Sequence, residues 1–202
     1  VGAGALAFLA GAFGYFLGVR SDDRPARDSA DVGFLYDMTA HHLQAIEMSM
    51  IELTNGEDPI ILSFARETLR GQSREMGLMQ MRLGTWGHDP GDPPETAMAW
   101  MGMATTAADM PGMASPAELD ALSSAEGAEA DALFVALMQD HHAGGVAMAR
   151  AAAERAEDDW VAETAAKMAD VQAHEIVDLE NARVQAGLAA DPPGFVPDVM
   201  SG

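Results

Sequence analysis

One phrase occurs twice in this chain, 100 residues apart: Phe34, Met38, His41, His42 and Met48 return as Phe134, Met138, His141, His142 and Met148. The register continues downstream, where Gln72 and Glu75 answer Gln172 and Glu175, and Ile61 falls in step with Val161. A unit copied at a fixed offset cannot bury its apolar face alone, so the two copies are expected to pack together about an approximate two-fold axis.

Each copy reads as a helical hairpin. Residues 31–53 carry helical periodicity, with Ser29 or Asp31 available as cap, and Asn55, Gly56 and Pro59 end the run. A second helix fits residues 58–83, stopped by Gly84 and Gly87. Residues 84–116 are rich in Gly, Pro and Met, which marks a long crossover rather than a compact loop. Ser115, Pro116 and Glu118 then spell a capping box that opens a short helix to Ser123. A third long helix is expected over residues 126–157 and a fourth over 158–187, followed by an extended, proline-containing tail over 188–202. No stretch alternates as a strand. The expectation is an all-α protein: a four-helix bundle of hairpins 31–83 and 126–187, joined by a Met-rich crossover over 84–125.

Ahead of the bundle, residues 1–19 hold no charged side chain. At 1.5 Å per residue such a helix spans roughly 28 Å, close to one hydrocarbon core. Gly4, Gly11, Gly14 and Gly18 recur at helical spacing, which suits close approach to another membrane helix. A transmembrane anchor over 1–19, followed by a polar hinge over 20–30, is therefore expected; a cleaved signal peptide is the rival, although no clear small-x-small site follows the apolar run. The net charge of -21 disfavours nucleic acid and anionic lipid headgroups as partners and favours cations. Cysteine is absent, which removes disulfides, thiolate metal sites and thiol catalysis. Methionine is the compensating oddity, with 15 residues where about five would be usual.

Helical spacing decides which of these side chains can act together. At about 100° per residue, Met38, His41, His42, Ala45 and Met48 fall within roughly 120° of arc, and Glu47 lies opposite. The same holds for Met138, His141, His142, Gly145 and Met148. Imidazole with thioether favours soft transition metals, so these eight Met and His residues are the candidate ligands. Adjacent histidines diverge by about 100°, so both members of a pair cannot point squarely at one site. Gln72, Glu75, Gln172, His174 and Glu175 are candidates to orient the histidines, since a ligand histidine donates its second ring proton to such a group. A polar network locking the hairpins without any metal is the competing reading. In the crossover, Met98, Met101, Met103, Met110 and Met113 are spaced to wrap thioethers around Cu(I) or Ag(I), or to plug gaps beneath a long connection. Di-iron carboxylate chemistry is disfavoured because no Glu-x-x-His occurs in the chain. Phosphate loops and nucleophile elbows are absent too, so an enzyme is not expected.

The stretch MPGMASPAELDALSSAEGAEADALF through LMQDHHAGGVAMA, with FLYDMTAHHLQAIEM and the two Gln-x-x-Glu units, resembles the family designated domain of unknown function 305. The resemblance covers residues 31–187. It implies a ferritin-like four-helix bundle, secreted or anchored in bacteria, with copper binding and copper resistance in some members. It also implies that the domain lies outside the cytoplasmic membrane. The first hairpin departs from the second in carrying Arg74 where His174 stands. The expected function is Cu(I) storage, buffering or delivery from a single-pass anchor in the cytoplasmic membrane. The alternative is an accessory subunit of a larger membrane complex, a respiratory one for instance, with no metal of its own.

Overall fold

The computed structural model describes residues 24–197. Five α-helices form among them: α1 (Ala30–Asn55), α2 (Pro59–Thr85), α3 (Pro116–Ser124), α4 (Ala128–Arg155) and α5 (Asp159–Ala186). Two single 3₁₀ turns, Ala99–Met101 and Ala107–Asp109, lie in the crossover. The expected membrane span, residues 1–19, lies outside the described residues; among those described, no helix is long and apolar enough to cross a membrane.

Local chemistry sets the helix starts. Ser29 caps α1 by accepting from the Val32 amide, and Asp58 caps α2 ahead of Pro59. Ser115 and Glu118 complete the capping box of α3, and Asp158 caps α5. Each satisfied cap is worth about 1 kcal/mol. Helix α5 ends at Gly187 in the left-handed conformation (φ 69°), where a side chain would be strained.

Asp31 is not the local cap that its position suggests. Its buried carboxylate crosses to the other hairpin and accepts from the backbone amides of Glu157 and Asp158, at 3.3 and 2.9 Å. Asp131 does the same in reverse, accepting from Glu57 at 3.1 Å and Asp58 at 3.0 Å. The start of each inner helix therefore meets the turn of the opposite hairpin, which makes α1 and α4 antiparallel. These two helices form the central pair and bury side chains on nearly all sides, whereas α2 and α5 bury one stripe each.

Two apolar clusters flank the middle of the central pair. One holds Phe34, Met38, Met79, Leu83, Met98, Met110, Met148 and Met168. The other holds Ala45, Met48, Ile61, Phe134, Met138 and Leu179. Each fully buried Phe, Leu or Met side chain contributes about 1.5–3 kcal/mol of transfer free energy. The crossover is pinned onto this core by directed contacts. Gln44 clasps Ala114 with two hydrogen bonds, donating to its carbonyl at 2.8 Å and accepting from its amide at 2.7 Å. Gly144 lets the crossover lie against α4, because a β-carbon there would overlap the Pro111 carbonyl. The tail beyond α5 is docked on the bundle: Phe195 packs on the second cluster and the Val196 amide donates to Glu118 at 3.0 Å.

Candidate metal centre

Between the two apolar clusters lies a layer of four histidines, all fully buried. The structure splits each pair, as the 100° divergence requires. His41 and His141 meet at the centre with ring centroids 3.7 Å apart and planes 32° apart. His141 Nε2 donates to the His41 backbone carbonyl at 2.9 Å, and His41 Nε2 donates to the Pro111 carbonyl at 3.2 Å. His42 and His142 turn outward within their own hairpins. Their Nε2 atoms donate to Glu75 and Glu175 Oε2, both at 2.9 Å.

These partners fix the tautomers. A carbonyl or carboxylate oxygen can only accept, so every Nε2 carries its proton, and in a neutral ring Nδ1 then holds a bare lone pair. All four Nδ1 atoms are buried without a hydrogen-bond partner. Burial drives the His41 pKa down to about 3, and the adjacent His42 adds to the effect. His141 is held well below the usual histidine value, by burial first and by His41 next. The central pair is thus neutral at physiological pH, which is the form that binds metals.

Outside the histidines, a cavity of about 50 Å³ opens between α2 and α5, lined by Gln72, Glu75, Met168, Gln172 and Glu175 among others. Glu75 and Glu175 are 25 and 29% exposed, so each links a buried imidazole to solvent. Gln72 and Gln172 belong to the buried part of the lining, with their Oε1 atoms unpartnered. The halves differ at one point: Gln172 Oε1 occupies the space that a β-carbon at Gly145 would take, where the first half has Ala45.

The thioethers assemble across the repeat. Met38 joins Met148 in one cluster and Met48 joins Met138 in the other, so each side of the histidine layer carries one methionine from each copy. Met98 and Met110 are buried in the Met38 cluster, with Met101 and Met113 packed against it. Met103 is 42% exposed and stands apart. His174 does not orient a core histidine. It is exposed, and its ring bonds the Asp170 carbonyl one turn back on its own helix.

Sequence reasoning missed the Pro111 carbonyl, the Gln44 clasp, Gly144 and the Asp131 cross-cap. Only the last had a visible signal, since Asp31 and Asp131 stand 100 residues apart, as do the Glu-Asp steps they cap.

The fit to a soft ion is tested by the donors themselves. Four buried imidazole Nδ1 atoms without a hydrogen-bond partner, flanked by clustered thioethers, are a donor set suited to a soft cation. Among the described residues, no three His, Asp or Glu side chains stand together in a ready-made cage. Any ion held here would use a mixed imidazole and thioether set.

No curated protein matches the sequence. The chain is similar to a solved structure of a DUF305 protein from Streptomyces coelicolor, at 34% identity over 81% of this chain and 97% of that one, with a TM-score of 0.75. A DUF305 fragment from Deinococcus radiodurans is 29% identical over 77% of this chain and 96% of that one, with a TM-score of 0.66. CopM in its Cu(I)-bound form is 26% identical over 77% and 96%, with a TM-score of 0.60. The family model for the domain of unknown function DUF305 matches residues 31–183, and the chain belongs to that family.

Proposed function

We propose that this protein binds Cu(I), or a comparably soft ion, and acts in copper storage, buffering or delivery rather than catalysis. The observation that carries the reading is the set of four buried, unpartnered Nδ1 atoms in a repeated histidine layer. His41, His42, His141 and His142 would supply imidazole nitrogen, with Met38, Met48, Met138 and Met148 as flanking thioethers. Glu75 and Glu175 accept from Nε2 of His42 and His142 and fix the orientation of those two rings. Met98, Met101, Met110 and Met113 would form a second thioether set where the crossover meets the core. The likeness to CopM, solved in Cu(I)-bound and Ag-bound forms, supports a soft ion of this kind. In this reading residues 1–19 anchor the domain on the outer side of the cytoplasmic membrane.

The test is an anaerobic competition titration of Cu(I) against a chromophoric chelator, on the wild type and on a variant with all four histidines changed to Ala. Tight binding that disappears in the variant is the expected result. Binding that survives moves the site to the crossover methionines, and absence of binding in the wild type overturns the reading.

A second reading, an accessory subunit of a membrane complex, draws on Val177 and Val184, which are exposed seven residues apart on one face of α5. Gentle extraction followed by size analysis separates the two, because a chain that migrates only as a monomer is no subunit.

A further inference from the structure

The two halves of the molecule are not equivalent away from the histidines. Where the second hairpin has Leu133 and Leu137, both buried beneath α3 and the docked tail, the first has Gly33 and Asp37. These two residues line a cavity of about 580 Å³ between α1 and the crossover. Its apolar walls are Trp100, Ala99, Pro93 and Pro94, and charged groups, mostly carboxylates, complete the lining. This volume is that of sites for small organic ligands.

Asp37 is the buried polar group of the cavity, at only 6% exposure. The Met98 amide and the Trp100 indole both donate to it at 2.8 Å, and both go to the same oxygen, Oδ2. Among the described residues no donor is assigned to Oδ1. Burial raises the Asp37 pKa, with those two donors alone opposing the rise, so the carboxylate has no cation of its own. The backbone is shaped to hold this arrangement. Met98 has the only positive φ outside glycine among the described residues, 56°. Gly33 has no β-carbon because one would overlap the Trp100 ring. The indole is braced further by an edge-on contact with Phe34, ring centroids 6.2 Å apart.

Charge selects the class of ligand. The cavity lining carries one arginine, Arg27, against the carboxylates of Asp28, Asp37, Asp92 and Glu95. Arg27 is already paired with Asp92 at 3.1 Å. An anion is therefore disfavoured. A bare metal ion is disfavoured as well, since among the described residues no three His, Asp or Glu side chains stand close enough together to form a coordination shell. We propose that this cavity binds a small organic cation, a primary amine on an aromatic or apolar body, with the ammonium on Asp37 and the body against Trp100 and the two prolines.

The proposal is independent of copper and is tested without it. The full chain is titrated with 2-phenylethylamine at neutral pH, following tryptophan emission and ligand-observed NMR, and then with the neutral analogue 2-phenylethanol. Saturable binding of the amine, at least ten-fold tighter than that of the alcohol, is expected; Asp37→Asn should lower amine affinity by a similar factor while keeping an acceptor for Met98 and Trp100. No saturation up to roughly 10 mM, or equal binding of amine and alcohol, overturns the proposal. The comparison of the two ligands needs only wild-type protein, so it decides the matter even if the variant fails to fold. Binding of a lysine-containing peptide without binding of the amine also overturns it, in favour of a protein partner.

Discussion

Glu52 sits fully buried on α1, with both carboxyl oxygens enclosed and no donor satisfying them. It faces Asp131 of the opposite hairpin and Asp58 of the α1–α2 turn, and Gly56 leaves room for the close approach. Burial, then the hydrogen bond to Asp131, then the charges of Asp131 and Asp58 lift its pKa from 4.5 to about 9. The folded protein therefore holds a proton there that the unfolded chain releases above pH 4.5. For an acid with a raised folded pKa, the contribution to stability is whole below 4.5 and is lost as pH climbs toward 9. Each pH unit in that window is worth about 1.4 kcal/mol, so roughly 4 kcal/mol is lost by pH 7.5. Glu52→Gln keeps the shape and has no proton to give up. Its stability relative to wild type should be near zero at pH 4.5 and grow with pH, reaching several kcal/mol at pH 7.5. Urea denaturation of both proteins at pH 5, 6, 7 and 8 measures this difference, and groups common to both cancel in it. Parallel curves across the series would refute the assignment of a buried, protonated Glu52.

Gly144→Ala should loosen the crossover, because its methyl overlaps the Pro111 carbonyl that His41 bonds. A loss of about 1–3 kcal/mol is expected from overpacking against backbone, read by urea denaturation, together with faster limited proteolysis within residues 86–115. His41 and His141 should show no titration by NMR between pH 5 and 8, since burial holds both pKa values far below that range. The sign opposes that of Glu52: for a base with a lowered folded pKa, stability is lost as pH falls from 6.5 toward 3. Either ring titrating near 6.5 would contradict its placement in the core.

The hairpins and their caps were legible because they depend on neighbours in sequence. Ser29 and the Ser115–Glu118 box act within four residues of themselves. The divergence within each histidine pair was legible for the same reason, as helix geometry alone separates adjacent side chains. The Gln44 clasp and the Asp37 bonds to Met98 and Trp100 were not, because each joins residues more than 60 positions apart across an irregular segment. His174 misled by adjacency: standing beside Glu175 in sequence, it points about 100° away around the helix and bonds its own backbone instead. Burial of Glu52 was equally hidden, since its counterpart Ala152 is apolar and the repeat gives no hint of a carboxyl there.

The exchange of Asp31 and Asp131 between hairpins has a consequence for how such a molecule can be assembled. Neither hairpin can close its own turn, since the carboxylate that organises it arrives from the other half. A peptide of one repeat would carry a stranded aspartate at one end and bare helix-start amides at the other. A second copy of that peptide, laid antiparallel, would meet both needs at once. The present chain thus has the architecture of a homodimer whose two subunits have been tied together, and cutting the connection between α2 and α4 should yield halves that recombine rather than fold apart.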